Sequence, residues 1–167
     1  FLRIKPNAEM TAGGKYLKLN TEVYGSPILH TWLDRPLSIA GRVMIQSANP
    51  LVPETRLVNF DHPLLVIPNI AVHLNPSGNG QSTPSSNQKE MLPVISMIND
   101  TFEKDNFLIN MIAEEINVNP EDILDFDLAL YEYEKGCIFG ADNEFISSGR
   151  LDDLAMAYTG LKALLNS

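Results

Sequence analysis

Two stretches of this sequence alternate apolar and polar residues with a period of two, and that pattern commits the chain to half-buried β-strands. From Tyr16 to Tyr24, Leu17, Leu19, Thr21 and Val23 alternate with Tyr16, Lys18, Asn20 and Glu22. From Leu124 to Leu130, Leu124, Phe126, Leu128 and Leu130 alternate with Asp125, Asp127 and Ala129. Successive strand side chains point to opposite faces, so each stretch turns one face to a core and one to water. Gly13-Gly14 supplies a turn before the first stretch, and Gly25-Ser26-Pro27 a break after it. Arg42 to Gln46 and Arg56 to Phe60 read as two further strands, with Asn49-Pro50 and Pro53 in the connection. Pro63 to Leu74 is a longer apolar run. Pro68 within it cannot donate a ladder hydrogen bond, so the run is either an edge strand or bent at Pro68.

The centre changes character. Residues Asn75 to Lys89 are rich in Ser, Asn, Gly, Pro and Gln, which predicts an exposed, mobile loop. Beyond it, Leu92 to Asn99 is apolar and admits a helix, and Phe107, Met111 and Ile112 follow helical spacing up to Ile116. Asn119-Pro120-Glu121-Asp122 has the makings of a helix start: Asn at the cap, Pro at the first helical position, acids at the positive end of the dipole. Leu151, Leu154, Tyr158, Leu161 and Leu165 fall on one face of a final amphipathic helix. The expected class is α+β, β-rich, with antiparallel strands in a barrel-like or sandwich arrangement and accompanying helices.

Charge and composition narrow the partners. With 12 Lys and Arg against 21 Asp and Glu, the formal net charge is -9, a field that repels phosphate backbones and anionic lipid. Nucleic acid and membrane surfaces are therefore poor partners. The lone Cys137 excludes an internal disulfide framework and fits a reducing cytoplasm, and it reads as a buried small residue.

Few residues could carry chemistry. Asp152, beside Arg150 and Asp153 at the start of the final helix, has an ordinary reading as an acid that complements the helix dipole. Its functional reading is a carboxylate at a strand-to-helix turn, placed to bridge two metal ions. His73 interrupts the apolar run Ile70-Ala-Val-His-Leu74, either as the outward residue of an alternating strand or as an imidazole offered to a substrate or oxyanion. His30 and His62 have weaker claims, and no His-x-x-x-His spacing closes a zinc site. Adjacent Glu114 and Glu115 point about 100° apart on a helix, which suits a solvated face better than a shared site. Gly13-Gly14 and Gly78-x-Gly80 match no phosphate-binding pattern.

Separated blocks of the chain line up, in order, with one family. Phe1-Leu-Arg-Ile-Lys-Pro6, Glu22-Val-Tyr-Gly25, His30-Thr-Trp-Leu-Asp-Arg35, Leu37-Ser-Ile-Ala-Gly-Arg-Val43, Ile67-Pro-Asn-Ile-Ala-Val-His-Leu74, Glu121-Asp-Ile-Leu-Asp-Phe-Asp127 and Asn143-Glu-Phe-Ile-Ser-Ser-Gly-Arg-Leu-Asp-Asp153 resemble the M18 aminopeptidases. The resemblance implies a dinuclear zinc or cobalt exopeptidase with an α/β catalytic domain. A second domain inserted in it drives dimerisation, and dimers assemble into dodecamers. On this expectation residues 1–145 are the inserted dimerisation (lid) domain and 146–167 a flank returning to the catalytic domain. The chain is then a segment of a longer enzyme, with its remaining metal ligands, a first His and later Glu, Asp and His residues, on polypeptide outside it.

The resemblance also assigns roles. Asp152 matches the bridging metal ligand, followed here by Asp153 where the family pattern has Asn. His73 matches a His that reaches in trans into the partner subunit's active site, to bind substrate or hold the tetrahedral intermediate. The loop after it departs from the family's Arg/Asn-rich pattern. The implied substrate is a peptide with a free amino-terminal residue, an acidic one among the options, and the segment alone is expected to be inactive and to hold no metal. The competing expectations are a self-association module without catalytic role and an unrelated small-ligand-binding protein.

Overall fold

The computed structural model describes residues 2–74, 91–99 and 106–167. The expected loop at 75–89 lies outside them. Contacts divide the chain into two compact units, Phe1–Tyr133 and Glu134–Ser167.

The first unit is a six-stranded antiparallel sheet. Its strands are β1 (Leu2–Ala12), β2 (Tyr16–Val23), β3 (Leu37–Ile45), β4 (Glu54–Asn59), β5 (Val94–Met97) and β6 (Ile123–Glu132), in the spatial order β4-β3-β6-β1-β2-β5. The β1–β2 hairpin turns on Gly13 and Gly14, whose φ of 56° and 66° suit glycine. Leu17, Leu19 and Thr21 of β2 are buried, as the alternation requires, and so are Leu128 and Leu130 of β6. On the outward face, Asp127 of β6 sits between Arg3 of β1 (2.9 Å) and Arg42 of β3 (3.1 Å), so the polar half of the β6 alternation ties three strands together. These pairs are partly exposed and contribute little each.

The sheet closes on itself. The segment 65–67 pairs with the beginning of β3 on one side and with β5 on the other, through the antiparallel bridges Leu37↔Leu65 and Val66↔Val94. Leu37 N–H donates to Leu65 O at 2.9 Å, and Val94 N–H donates to Val66 O at 2.8 Å. A ring of hydrogen-bonded strands therefore runs β3-β6-β1-β2-β5 and back through 65–67, which is the barrel-like form of the expected α+β fold. Pro68 follows directly and has no N–H to continue the ladder. The Pro63–Leu74 run is thus three paired residues and a departure, not one long strand.

Helix α1 (Phe107–Ile116) supplies Leu108, Ile112 and Ala113 to the core formed with Leu2, Ile4, Leu19, Ile39, Val43, Leu128 and Leu130. The Leu108 N–H donates to the Glu9 carboxylate at 2.8 Å, so β1 places a negative charge at the helix N-terminus. Within the same unit Thr21 is fully buried and its hydroxyl donates to Met91 O at 2.6 Å. That bond fastens the chain entering β5 to β2. Thr21→Val keeps the shape but leaves the Met91 carbonyl without this donor. We expect a loss of about 1–2 kcal/mol in denaturant unfolding, and a variant as stable as the wild type would show the tether to be idle.

Three expectations are corrected. The 92–99 stretch forms strand β5, not a helix, because pairing with β2 and with Val66 captures it. The helix start at Asn119 yields one 3-10 turn, Pro120–Asp122, since Ile123 at once enters β6 opposite Ile45. Cys137 is exposed, not buried. It lies in the second unit, in a short hairpin of β7 (Cys137–Phe139) and β8 (Phe145–Ser147) closed by the Phe139–Phe145 ring pair at 5.5 Å. Helix α2 (Leu151–Leu165) completes that unit. Its apolar stripe Leu151, Leu154, Tyr158, Leu161 and Leu165 is 48–69% exposed.

Candidate functional site

Asp152 sits where β8 gives way to α2. Arg150 just before the helix takes a left-handed φ of 60°, and Asp152 itself is extended (φ -88°, ψ 114°) and not helical. The Asp152–Asp153 peptide is cis. The Leu154 N–H donates to Arg150 O at 3.3 Å, which closes the first turn around the two acids. Both acids are exposed. Asp152 lies at the helix entrance, where the positive end of the helix dipole favours an anion.

Among the described residues no three His, Cys, Asp or Glu side chains gather to hold a metal ion. The donor set fits one ligand of a metal centre and not a whole one. Carboxylate oxygen suits a divalent cation such as zinc, and a four-coordinate site needs further donors.

His73 lies in a 3-10 turn, Val72–Leu74, and not in a strand as its alternation with apolar neighbours suggested. The Leu74 N–H donates to Ala71 O at 2.9 Å and closes this turn. The imidazole is exposed, carried on a loop that leaves the barrel ladder at Pro68. Asp34, which sequence reasoning did not single out, grips the root of this loop. Its Oδ1 accepts from Asn69 N–H at 2.8 Å, and its own N–H donates to Ile67 O at 3.0 Å. The only sequence signal was an acid in a turn segment, which marks many turns.

The other candidates are structural. His62 Nδ1 donates to Phe60 O at 2.7 Å, and the imidazole stands edge-on to the Phe60 ring. His30 is exposed in the 3-10 turn Leu29–Trp32. Glu114 and Glu115 are both exposed on α1, as expected of a solvated face. A polar groove in the first unit runs between Glu54 and Arg56 on β4 and Asn117 and Asp122 after α1, and His73 does not line it.

Comparisons with known proteins place these features in context. The family model for the aminopeptidase I zinc metalloproteases (M18) matches residues 1–167. A probable M18 family aminopeptidase 2 of Clostridium acetobutylicum is 56% identical over 165 residues, which is 99% of this chain and 38% of that protein. Among solved structures, Chaetomium thermophilum mApe1 superposes with a TM-score of 0.83 at 29% identity, covering 99% of this chain and 39% of the other. The S. cerevisiae mApe1 dodecamer superposes at 0.75 and 23% identity, covering 98% and 35%, a likeness of fold. The chain therefore spans somewhat over a third of the length of the proteins it matches.

Proposed function

The chain belongs to the M18 family of aminopeptidase I zinc metalloproteases, and from that footing we propose that it is the dimerisation portion, with one metal-ligating flank, of a dinuclear metalloaminopeptidase. The observation that carries this reading is the family match over all of residues 1–167, set against a share of only 38% of the full-length relative. The bare stripe of α2 supports it, since an amphipathic helix is stable when its apolar face is covered. Residues 1–145 then form the inserted domain and 146–167 the return to the catalytic domain.

Each residue has a task in this reading. Asp152 would supply carboxylate oxygen to a centre of two divalent ions, zinc or cobalt, as a ligand shared between them. Metal chemistry of this kind supplies a hydroxide nucleophile from water near neutral pH. His73 belongs to the partner's active site in a homodimer, and such dimers build the dodecamer. There its imidazole N–H donates to the oxygen of the first peptide carbonyl as negative charge develops on it. A donor aimed at that oxygen is worth about 3–4 kcal/mol in the barrier. The substrate is a peptide with a free amino terminus, and acidic first residues are among those to be tested. The single exposed cysteine suits a cytoplasmic setting, and no described helix is long and apolar enough to cross a membrane.

The test uses two polypeptides. Residues 1–167 purified alone should sediment as a dimer and show no turnover of aspartyl- or leucyl-p-nitroanilide with zinc or cobalt added. The full-length protein should turn over one of them and lose that activity to a chelator. A monomeric segment would remove the dimerisation role. Turnover by the segment that survives Asp152→Ala would end the whole reading. A dimer paired with an inactive full-length protein would leave the self-association module as the better account.

A further inference from the structure

We propose that Asp34 is a positioning residue that sets where His73 stands, an inference that rests on the role proposed for His73 above. The geometry is specific to the point at which the chain leaves the barrel. Pro68 has no N–H, so the ladder that holds 65–67 cannot hold the residue after it. Asp34 bonds the chain on both sides of that gap. Its N–H donates to Ile67 O at 3.0 Å before the proline, and its Oδ1 accepts from Asn69 N–H at 2.8 Å after it. Two bonds from one residue fix both the place and the direction in which the loop departs.

From there to the imidazole the chain is short and bonded at successive steps. Asn69 Oδ1 accepts from Ile70 N–H at 2.8 Å. The Leu74 N–H returns to Ala71 O and closes the turn that contains His73. Asp34 is itself anchored to the barrel. Leu33 bridges Ile67 in parallel, the Arg35 guanidinium pairs with the Glu132 carboxylate on β6, and Tyr133 N–H donates to Pro36 O at 3.1 Å. Bonds to the neighbours of Asp34 thus tie it to β6, its own bonds hold Ile67 and Asn69, and the His73 turn begins two residues beyond Asn69.

Asp34 has little else to do. It is exposed, so it contributes no apolar burial to the core. Its φ of 56° is left-handed, a conformation that Asp and Asn adopt more readily than most residues. Its Oδ1 accepts from a backbone N–H, a task that an amide oxygen can also perform. What the side chain adds is the location of an acceptor, and displacing a catalytic group by about 1 Å can cost on the order of 10²-fold in rate.

The test is a double-mutant cycle in the full-length enzyme, with kcat, KM, metal content and thermal midpoint measured for each variant. Asp34→Gly keeps the left-handed backbone and removes the acceptor. Asp34→Asn keeps both. We expect Asp34→Gly to lower kcat by about tenfold with KM little changed, with metal content and thermal midpoint retained, and Asp34→Asn to restore the rate. In a His73→Phe background Asp34→Gly should have no further effect, because the group it positions is gone. Wild-type activity in Asp34→Gly, or a loss that multiplies with that of His73→Phe, overturns the inference while leaving His73 in place. His73→Phe without effect on its own overturns the role of His73 and this inference with it.

Discussion

Asp152→Ala in the full-length protein is expected to abolish activity and release bound metal. On the role proposed for Asp152 its carboxylate helps to hold both ions, so the expected metal content falls from the proposed two per chain to one or fewer. The expected loss in kcat/KM is on the order of 10³-fold or more, the scale on which removal of a catalytic group registers. The fold should not suffer in proportion. Asp152 is exposed and extended at the entrance of α2, so alanine removes no packing there. The dipole contribution forgone is about 0.3–1 kcal/mol. Asp153→Asn is the matching control, since it alters the local charge and leaves the proposed ligand untouched. It should keep both metal and activity. If metal content and rate survive in Asp152→Ala, the bridging role is refuted. If they are lost in both variants, the turn as a whole matters and not the one carboxylate.

The period of two read correctly in β2 and β6 and misled at His73, which lies in a 3-10 turn. The alternation of β2 and of β6 is visible because each strand turns one face to a single core, with Leu17 and Leu19 or Leu128 and Leu130 inward. Helix α1 was legible through the spacing of Phe107, Met111 and Ile112, although of these only Ile112 is buried, with Leu108 and Ala113 beside it. The misses have a different cause. Strand β1 was never delimited, because its register against β2 shifts between Ile4 and Glu9 and Pro6 interrupts its pattern. Strand β5 is four residues long with no face fully buried, so its local pattern carried too little to outvote a helical reading. Its conformation is imposed by partners far away in sequence: β2 on one side and Val66 on the other. Asn119-Pro120 did start a turn of helix, but the cross-strand pairing of Ile123 with Ile45 outweighed what a longer helix offered. The β7–β8 strands are three residues each, below the length at which a period can be read.

The site was less legible than the fold. His73 and Asp152 are each one polar residue among ordinary neighbours, and only their place in a pattern of separated blocks singled them out. Local chemistry would have left Asp152 as a helix-dipole acid and His73 as an outward strand residue. Asp34 carried only the weak signal of an acid in a turn segment. Its importance comes from bonds to residues 33 and 35 positions away, which exist only once the 65–67 segment has closed the barrel.

The close approach of β3 and β6 marks one glycine as hard to replace. Gly41→Ala is expected to destabilise the first unit by about 3 kcal/mol or more, beyond an ordinary overpacked core substitution. Gly41 lies in β3 opposite Leu128 of β6, and a Cβ built on it would stand 2.2 Å from Asp127 O and 2.9 Å from Leu128 Cα. Both atoms are backbone, so no side chain can rotate away to make room. The strands must separate, and β6 is the strand that joins β3 to β1 in the ring. For a chain of this size the thermal midpoint should fall by roughly 10 °C, a large share of a stability that is about 5–15 kcal/mol in total. The same strand begins at Leu37, whose N–H holds Leu65, and the segment 65–67 in turn carries the root of the His73 loop. A displacement of β3 therefore reaches the proposed site through the backbone. At a temperature where the variant is still folded, Gly41→Ala should lower kcat in the full-length enzyme, although Gly41 lies within β3 and outside the His73 loop. Wild-type stability in this variant would mean that β3 and β6 do not approach as closely as the barrel requires. A destabilised but fully active variant would mean that the loop bearing His73 takes its position from something other than the barrel beneath it.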